Sequence, residues 1–201
     1  MKAMREACYR DAARFLGAKS AEDRAALMPI LLKAEPIVLS AAREKHILTE
    51  APVAVQGDQF TLDGLQPISS PDLCRLFQGS HRAVAVAITL GAEMDSAIRR
   101  YLLKDPGLGA AVGALASAYV DDLLDQLMAQ ENARLMEQGF ILSPRFSPGY
   151  GDVPLSWQKP FTAFLHTEKI GVRLTEQCLM IPEKSITALA AVRPSGMEEE
   201  Q

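Results

Sequence analysis

One long helical pattern dominates the sequence and covers residues 108–137. Asp105-Pro106 ends the element before it, and Gly139 follows its last turn as a helix terminator. Apolar side chains recur along it at the three- and four-residue spacing of one helical face: Val112, Leu115, Tyr119, Leu123 and Leu127. The segment therefore predicts the longest helix of the fold, with one face turned to the core.

Shorter helices and strands mix irregularly along the rest of the sequence. Helices are predicted at 2–16, 20–33, 36–45, from Ser70 onward, at 92–103 and at 154–167, and strands at 51–55, 59–62, 83–90, 140–143, 173–181 and 185–192. Without a regular βαβ rhythm, this order predicts an α+β fold and not a doubly wound sheet. No linker interrupts residues 1–195, so we expect a single domain, followed by a disordered acidic tail at 196–201.

Composition excludes some classes of function. Lys and Arg number 21 against 25 Asp and Glu, which gives a net charge of −4, and no Lys/Arg block is present. Nucleic-acid binding needs a basic stripe that displaces phosphate counterions, so it is disfavoured. The charged residues in Met1–Leu16 do not suit a signal peptide, and no run of about 18 apolar residues is available to cross a membrane. Cys8, Cys74 and Cys178 are widely spaced, which predicts reduced thiols and a cytoplasmic protein.

A glycine-rich segment, Gly107-x-Gly109 followed by Gly113, looks like a dinucleotide-binding loop. That chemistry needs a strand before the glycines, so that a helix N-terminus faces the pyrophosphate. Here a helix and a proline precede them. The glycines are therefore predicted to let another element pack closely on the long helix.

An aspartate motif, Asp121-Asp122-x-x-Asp125, matches the pattern that holds magnesium diphosphate in all-helical prenyl synthases. Such enzymes need a second acidic motif on a facing helix, which this sequence lacks. A solvated acidic helix face is the simpler interpretation, and a magnesium-dependent diphosphate enzyme is kept as a distant hypothesis. The three histidines have no metal-binding spacing, so no metal site is predicted, and no catalytic nucleophile motif is present.

The turn Arg145-Phe-Ser-Pro-Gly-Tyr150 carries the most chemistry in the chain. Proline and glycine set its backbone, so side chains are held without a large ordering cost. Arg145 offers a planar fork of donors for a carboxylate, and Tyr150 offers an aromatic face with a polar tip. The alternative is a purely structural turn, in which the arginine caps a carbonyl and the tyrosine lies in the core.

A second motif follows at a distance and joins the turn in one pattern. After Arg145, Pro148, Gly149, Tyr150 and Pro154 come Gly171, Leu174, Thr175, Glu176, Met180, Pro182, Ser185, Ile186 and Thr187. Order and spacing resemble R-P-A-P-G-Y and G-x-x-L-T-E-x-x-x-M-x-P-x-x-S-V-S of the activation domain of B12-dependent methionine synthases. The resemblance covers about fifty residues, and a weaker one to short stand-alone bacterial homologues covers the N-terminal half.

The resemblance implies a fold, a ligand and a site. The fold would be several helices on a twisted, mainly antiparallel sheet, and the ligand S-adenosylmethionine. Arg145 would hold its carboxylate, Ser147 and Tyr150 would line the adenosine side, and Asp121 would hold the ammonium. No residue is predicted to be catalytic.

The leading hypothesis is a stand-alone, accessory activation domain. It would present S-adenosylmethionine for reductive remethylation of cob(II)alamin, with cobalamin bound only to a partner methionine synthase or other corrinoid protein. An electron donor such as flavodoxin is a possible further partner; nucleic acid and membrane are not expected. The family's D-W-T-P-F-like segment and its late tyrosine pair find no counterpart among the 201 residues. That motivates the alternative of a corrinoid-docking module of the same fold that no longer binds S-adenosylmethionine.

Overall fold

The computed structural model describes residues 4–196 as six α-helices, two short 3-10 helices and eight strands. The α-helices are α1 Glu6–Phe15, α2 Ala21–Ala41, α3 Pro71–Leu76, α4 Ala92–Lys104, α5 Pro106–Met136 and α6 Gln158–Leu165. The strands are β1 Lys45–Gln56, β2 Gln59–Leu62, β3 Ile68–Ser69, β4 Arg82–Thr89, β5 Phe140–Leu142, β6 Arg173–Leu174, β7 Met180–Ile181 and β8 Ser185–Pro194. The 3-10 helices are Leu155–Trp157 and Thr167–Ile170. The predicted acidic tail falls almost entirely outside the described residues.

Six of the strands form one sheet in the order β3-β2-β1-β4-β8-β5, and β6 pairs with β7 separately. The registers of β1 with β2, β2 with β3 and β5 with β8 are all antiparallel. Gln56 opposite Gln59 closes the hairpin predicted at Gly57-Asp58. The predicted α+β class with a mainly antiparallel sheet is confirmed.

Internal contacts divide the chain into two compact units, whose boundaries fall inside β1, β4, α5 and β8. The first consists of Met1–Lys45, Ile88–Gln126 and Met180–Ile186. Its α2 begins with the predicted capping box, in which the Asp23 amide donates to Ser20 Oγ at 3.0 Å and the Ser20 amide donates to the Asp23 carboxylate at 2.9 Å. Its core is helical and includes Cys8, Ala12, Leu31, Ala34, Val38, Met94, Val112 and Leu115.

The second unit consists of His46–Ala87, Leu127–Leu179 and Thr187–Gln201. Its core contains four aromatic rings in series. Phe77 lies 4.7 Å from Phe60, Phe60 lies 6.4 Å edge-on to Trp157, and Trp157 stacks on Phe161 at 5.1 Å between ring centroids. Near the end of α5, Glu50 accepts from both Arg82 and Arg134, and hydrogen bonds to Glu131 and Glu50 raise the pKa of Arg134.

Helix α2 differs from the sequence prediction. A break near Lys33 and a new helix at 36–45 were expected, but one helix passes through Pro29 and Pro36 to Ala41. Leu31, Ala34 and Val38 form its fully buried stripe, and at about 100° per residue both prolines lie roughly opposite that stripe. Carbonyls that lose a partner to proline therefore face the exposed side, where water can satisfy them.

The strand predicted at 173–181 needs correction. Residues 173–181 are not one strand but the two short strands β6 and β7, joined by a tight turn at which Cys178 has φ +65°.

Helix α5 is long and apolar enough, by length and composition alone, to cross a membrane. Of its most apolar window 61% is buried in the fold, as in the core helix of many proteins, so this is weak evidence.

Close packing explains Gly109 of α5, as predicted, but it does not explain Gly113. A Cβ at Gly109 would lie 2.4 Å from the Leu102 backbone nitrogen of α4, whereas a Cβ at Gly113 would meet only Ile98 at 3.8 Å. Gly109→Ala is therefore expected to lower the free energy of unfolding by about 2 kcal/mol or more. The matched control Gly113→Ala should raise it by up to about 1 kcal/mol, because alanine is the better helix former.

Urea denaturation of both variants measures the difference. Equal stability of the two would contradict the close approach of α4 and α5 at Gly109.

Alkaline pH is expected to destabilise the protein through two neighbours on α1. Burial, followed by Asp122, raises the pKa of Cys8 from 9.0 to about 12, and burial, followed by a hydrogen bond to Glu35, raises the pKa of Tyr9 from 10.0 to about 12. Both groups therefore ionise more readily in the unfolded chain. Their contribution is complete below pH 9 and is lost as pH rises toward 12.

Urea midpoints between pH 8 and pH 11 measure this loss, to order-of-magnitude precision in the slope. Cys8→Ala and Tyr9→Phe should each flatten the profile. A wild-type profile that is flat over the same range would contradict the expectation.

Candidate functional site

The predicted binding turn is attached to β8 by backbone hydrogen bonds. Immediately after β5, the Ser143 amide donates to the Ala191 carbonyl at 2.9 Å, and the Ala191 amide donates to Ser143 Oγ at 2.9 Å. Phe146 and Leu189 then exchange two amide-to-carbonyl bonds of 2.8 Å in an antiparallel bridge. Ser143 and Phe146, on either side of Arg145, are thus both bound to the buried strand β8. These bonds set the backbone position of Arg145.

The turn itself is closed by three short-range bonds. The Gly149 amide donates to the Val153 carbonyl at 3.0 Å, and the Val153 amide donates to the Tyr150 carbonyl at 3.1 Å. The Tyr150 amide donates to the Ser147 carbonyl at 3.2 Å. Gly149 has φ +94°, which a residue with a side chain rarely adopts, and Pro148 is buried. Residues 147–153 therefore form a rigid turn, as the sequence predicts.

Three of the four predicted site residues lie on the Arg145–Tyr150 segment. Arg145 and Ser147 are half-buried, and Tyr150 is 70% exposed. The purely structural alternative, with the tyrosine in the core, is therefore wrong for Tyr150. An exposed phenol ring can stack on a flat ring, and a guanidinium is a residue type that can grip a carboxylate.

Asp121, the fourth predicted residue, lies half-buried on α5 in the first unit, whereas the turn belongs to the second. Its neighbour Asp122 is buried, and both of its carboxylate oxygens accept hydrogen bonds. Arg5 Nε donates to Oδ1 at 2.7 Å, and Gln126 Nε2 donates to Oδ2 at 2.7 Å. Within residues 4–196, no group of three or more His, Cys, Asp or Glu side chains is placed to hold a metal ion. The structure gives Asp122 a role in packing α5 against Arg5.

A second attachment of the turn was not predicted. Asp152 accepts from the Ser70 hydroxyl with Oδ1 and from the Asp72 amide with Oδ2 at 3.0 Å, and its own amide donates to the Asp72 carboxylate at 3.3 Å. Ser70 is the N-cap of α3, as predicted. Because 82 residues separate Ser70 from Asp152, no local pattern relates them. The glycine-aspartate pair directly after Tyr150 was the one available signal.

The second motif of the sequence has an architectural role. Thr175 closes the turn between β6 and β7 by accepting the Leu179 amide on Oγ1 at 3.1 Å. Ser185 is buried and donates to the Pro182 carbonyl, 2.7 Å away, and its hydroxyl lies 2.8 Å from that of Thr89. The Thr187 hydroxyl donates to the buried Gln158 at 2.8 Å. These side chains hold loops and strands together.

Asp95 in the first turn of α4 is a buried carboxylate that the sequence reading missed. Its Oδ2 accepts the Glu183 amide at 3.0 Å, which fixes the loop before β8. Its Oδ1 has no hydrogen-bond partner among residues 4–196. A lone acidic residue in an amphipathic helix gave no sign of this role.

This fold has a known counterpart. The chain is similar to the crystal structure of the MetH reactivation domain bound to AdoHcy, with a TM-score of 0.67, 15% identity, and coverage of 94% of this chain and 77% of that chain. No protein-family model and no curated protein matches the sequence. At this identity the likeness shows the fold alone. The predicted activation-domain-like architecture is confirmed, and the ligand roles of individual residues stay predictions.

The role of Asp122 can be tested by replacement. Asp122→Asn keeps the shape but removes the charge that pairs with Arg5, so the free energy of unfolding should fall by about 1–3 kcal/mol. The control Asp63→Asn changes an exposed aspartate and should have an effect of less than about 0.5 kcal/mol. Millimolar Mg²⁺ should not raise the melting temperature of the wild type.

Thermal denaturation with and without Mg²⁺ makes these measurements. Stabilisation by Mg²⁺ that disappears in Asp122→Asn would instead support the diphosphate hypothesis.

Proposed function

We propose that this protein binds S-adenosylmethionine and presents its methyl group to a partner corrinoid protein, as a stand-alone homologue of the methionine synthase activation domain. The observation that carries the proposal is the fixed turn with Arg145 and Tyr150 in a fold whose solved counterpart has AdoHcy bound. AdoHcy is what S-adenosylmethionine becomes when it gives up its methyl group, so a site for one suits the other.

Each proposed contact has a chemical reason. The Arg145 guanidinium offers parallel N–H donors to the ligand carboxylate, which is a stronger arrangement than a single neutral hydrogen bond. Tyr150 exposes its ring for stacking on adenine. Ser147 lies between Arg145 and Tyr150 in the sequence. Asp121, on α5, remains only a sequence-based prediction for the amino group. These residues bind and orient the ligand; none acts as a nucleophile.

The partner supplies the reacting centre. In the proposed reaction, cob(II)alamin on a methionine synthase or other corrinoid protein gains one electron from a donor such as flavodoxin, and the methyl cation of S-adenosylmethionine passes to the cob(I)alamin formed, leaving AdoHcy. The protein described here would be an accessory component that positions the methyl donor. Its three free cysteines suit the reducing cytoplasm, where we place it.

A second candidate is a corrinoid-docking module of the same fold that does not bind S-adenosylmethionine. Its support is the exposure of apolar surface on the turn: Tyr150 is 70% and Leu155 39% exposed, and the Leu155 side chain lies against Gly149. Exposed aromatic side chains are enriched at protein-binding surfaces. Ligand titration separates the two candidates.

Isothermal titration calorimetry of the full chain with S-adenosylmethionine and with AdoHcy is the direct test. Arg145→Ala is expected to weaken both affinities by about 30-fold or more, since a charge-assisted, paired contact to the carboxylate is lost. Arg145→Lys should recover only part of the loss, because a single ammonium cannot form the fork. The control Arg173→Ala removes an exposed arginine of the same unit and should leave affinity unchanged.

Wild-type affinity in Arg145→Ala would overturn the site. If the wild type binds neither ligand but still binds a cobalamin-loaded methionine synthase, the second candidate is correct. Failure of both measurements would exclude both candidates.

A further inference from the structure

We propose that Asp152 is a positioning residue for the Arg145–Tyr150 turn and that it acts through α3, an inference that rests on the ligand-binding function proposed above. Its carboxylate and amide join the end of the turn to the first turn of α3. We name this junction the Asp152 clasp and define it by Ser70, Asp72, Gly151 and Asp152. The clasp holds the turn in its binding conformation before any ligand arrives.

The clasp is reciprocal, so it fixes orientation as well as distance. Asp152 accepts two donors, the Ser70 hydroxyl and the Asp72 amide at 3.0 Å, and its own amide donates back to the Asp72 carboxylate at 3.3 Å. Three bonds in two directions leave little freedom for rotation about the 150–153 backbone. The other end of the turn is fixed by the Phe146–Leu189 bridge, so both ends are held.

The α3 side of the clasp is a firm support. Ser70 is fully buried and its Oγ also accepts the Leu73 amide at 3.1 Å, and Leu73 is itself fully buried. The first amides of a helix have no partner within the helix. Asp152 supplies a partner for the Asp72 amide, so α3 and the turn stabilise each other.

Gly151 allows the approach of the two aspartates. It has φ +53°, and a Cβ at this position would lie 2.1 Å from Asp72 Oδ2 and 3.4 Å from the Phe146 ring. Any side chain would therefore push Asp72 out of the clasp. The sequence Tyr150-Gly-Asp152 thus combines an exposed ring with the two residues that hold its backbone.

Pre-organisation explains why the clasp should affect affinity. A turn that is already ordered does not lose conformational entropy on binding, whereas a mobile one does. Asp152 itself is exposed and is not assigned a ligand contact. Its removal should therefore act through the order of the turn, and the magnitude expected is a loss of about 5- to 50-fold in affinity.

A merely structural role for Asp152, as a cap for α3, predicts something different: lower stability with unchanged affinity in the folded protein. Asp105 provides a matched control. It is an exposed aspartate whose Oδ1 accepts the Leu108 amide at 3.0 Å at the start of α5, in the first unit. Asp105→Ala removes a comparable helix-start contact and should leave both the turn and the affinity unchanged.

The experiment combines two measurements on the full chain. Hydrogen–deuterium exchange of the Gly149 and Val153 amides reports the order of the turn without ligand, and calorimetry with AdoHcy reports affinity. In Asp152→Ala, exchange should be at least about 10-fold faster and affinity about 5- to 50-fold weaker. Asp152→Asn keeps one acceptor oxygen for Ser70 and should give intermediate values in both.

The outcomes decide separately on the two proposals. Unchanged exchange in Asp152→Ala overturns the clasp, whether or not ligand binds. Faster exchange with unchanged affinity overturns the positioning role. If wild-type protein binds no AdoHcy while Asp152→Ala exchanges faster, the clasp is supported and the proposed function alone fails.

Discussion

The candidate site depends on backbone pairing between residues 140–146 and β8. Strand β5 pairs with the end of β8, and the contacts continue past it to Ala191 and Leu189. Because Ala188–Val192 is buried, water cannot compete for these bonds, and each buried amide or carbonyl left without a partner would be costly. The start of the binding turn is therefore an extension of the sheet and not an independent loop.

Most of the fold followed from local signals in the sequence. The Ser20 capping box, the Ser70 N-cap, the Gly57-Asp58 hairpin and the limits of α5 are all determined within a few residues, so pattern reasoning found them. The continuation of helix α2 was not predicted, because a proline inside a helix normally ends it. Only the tertiary burial of Leu31, Ala34 and Val38 on the other side makes continuation favourable, and no local window contains that information.

The same distinction between local and long-range contacts applies to the candidate site. The fixed backbone of the turn follows from its prolines and glycine alone, whereas the partial burial of Arg145 was seen only in the structure. The second support of the turn does not follow from them, since the bond between Ser70 and Asp152 joins positions 82 residues apart. Asp122 shows a different error: the motif was predicted to be a solvated acidic helix face, but the Asp122 side chain is buried and bound by Arg5. Spacing in sequence shows which groups are available, and burial decides what they can bind.

The two halves of the sequence pattern therefore carry different information. Thr175, Ser185 and Thr187 are engaged in loop and strand contacts, so any protein that keeps this fold has reason to keep them, whatever it binds. Similarity in that half is therefore explained by architecture and says nothing about a ligand. Tyr150 is different, because 70% of it is exposed and packing gives no reason for an aromatic ring there. The proposal of a ligand therefore rests on this exposed ring and on Arg145, five residues before it in the sequence.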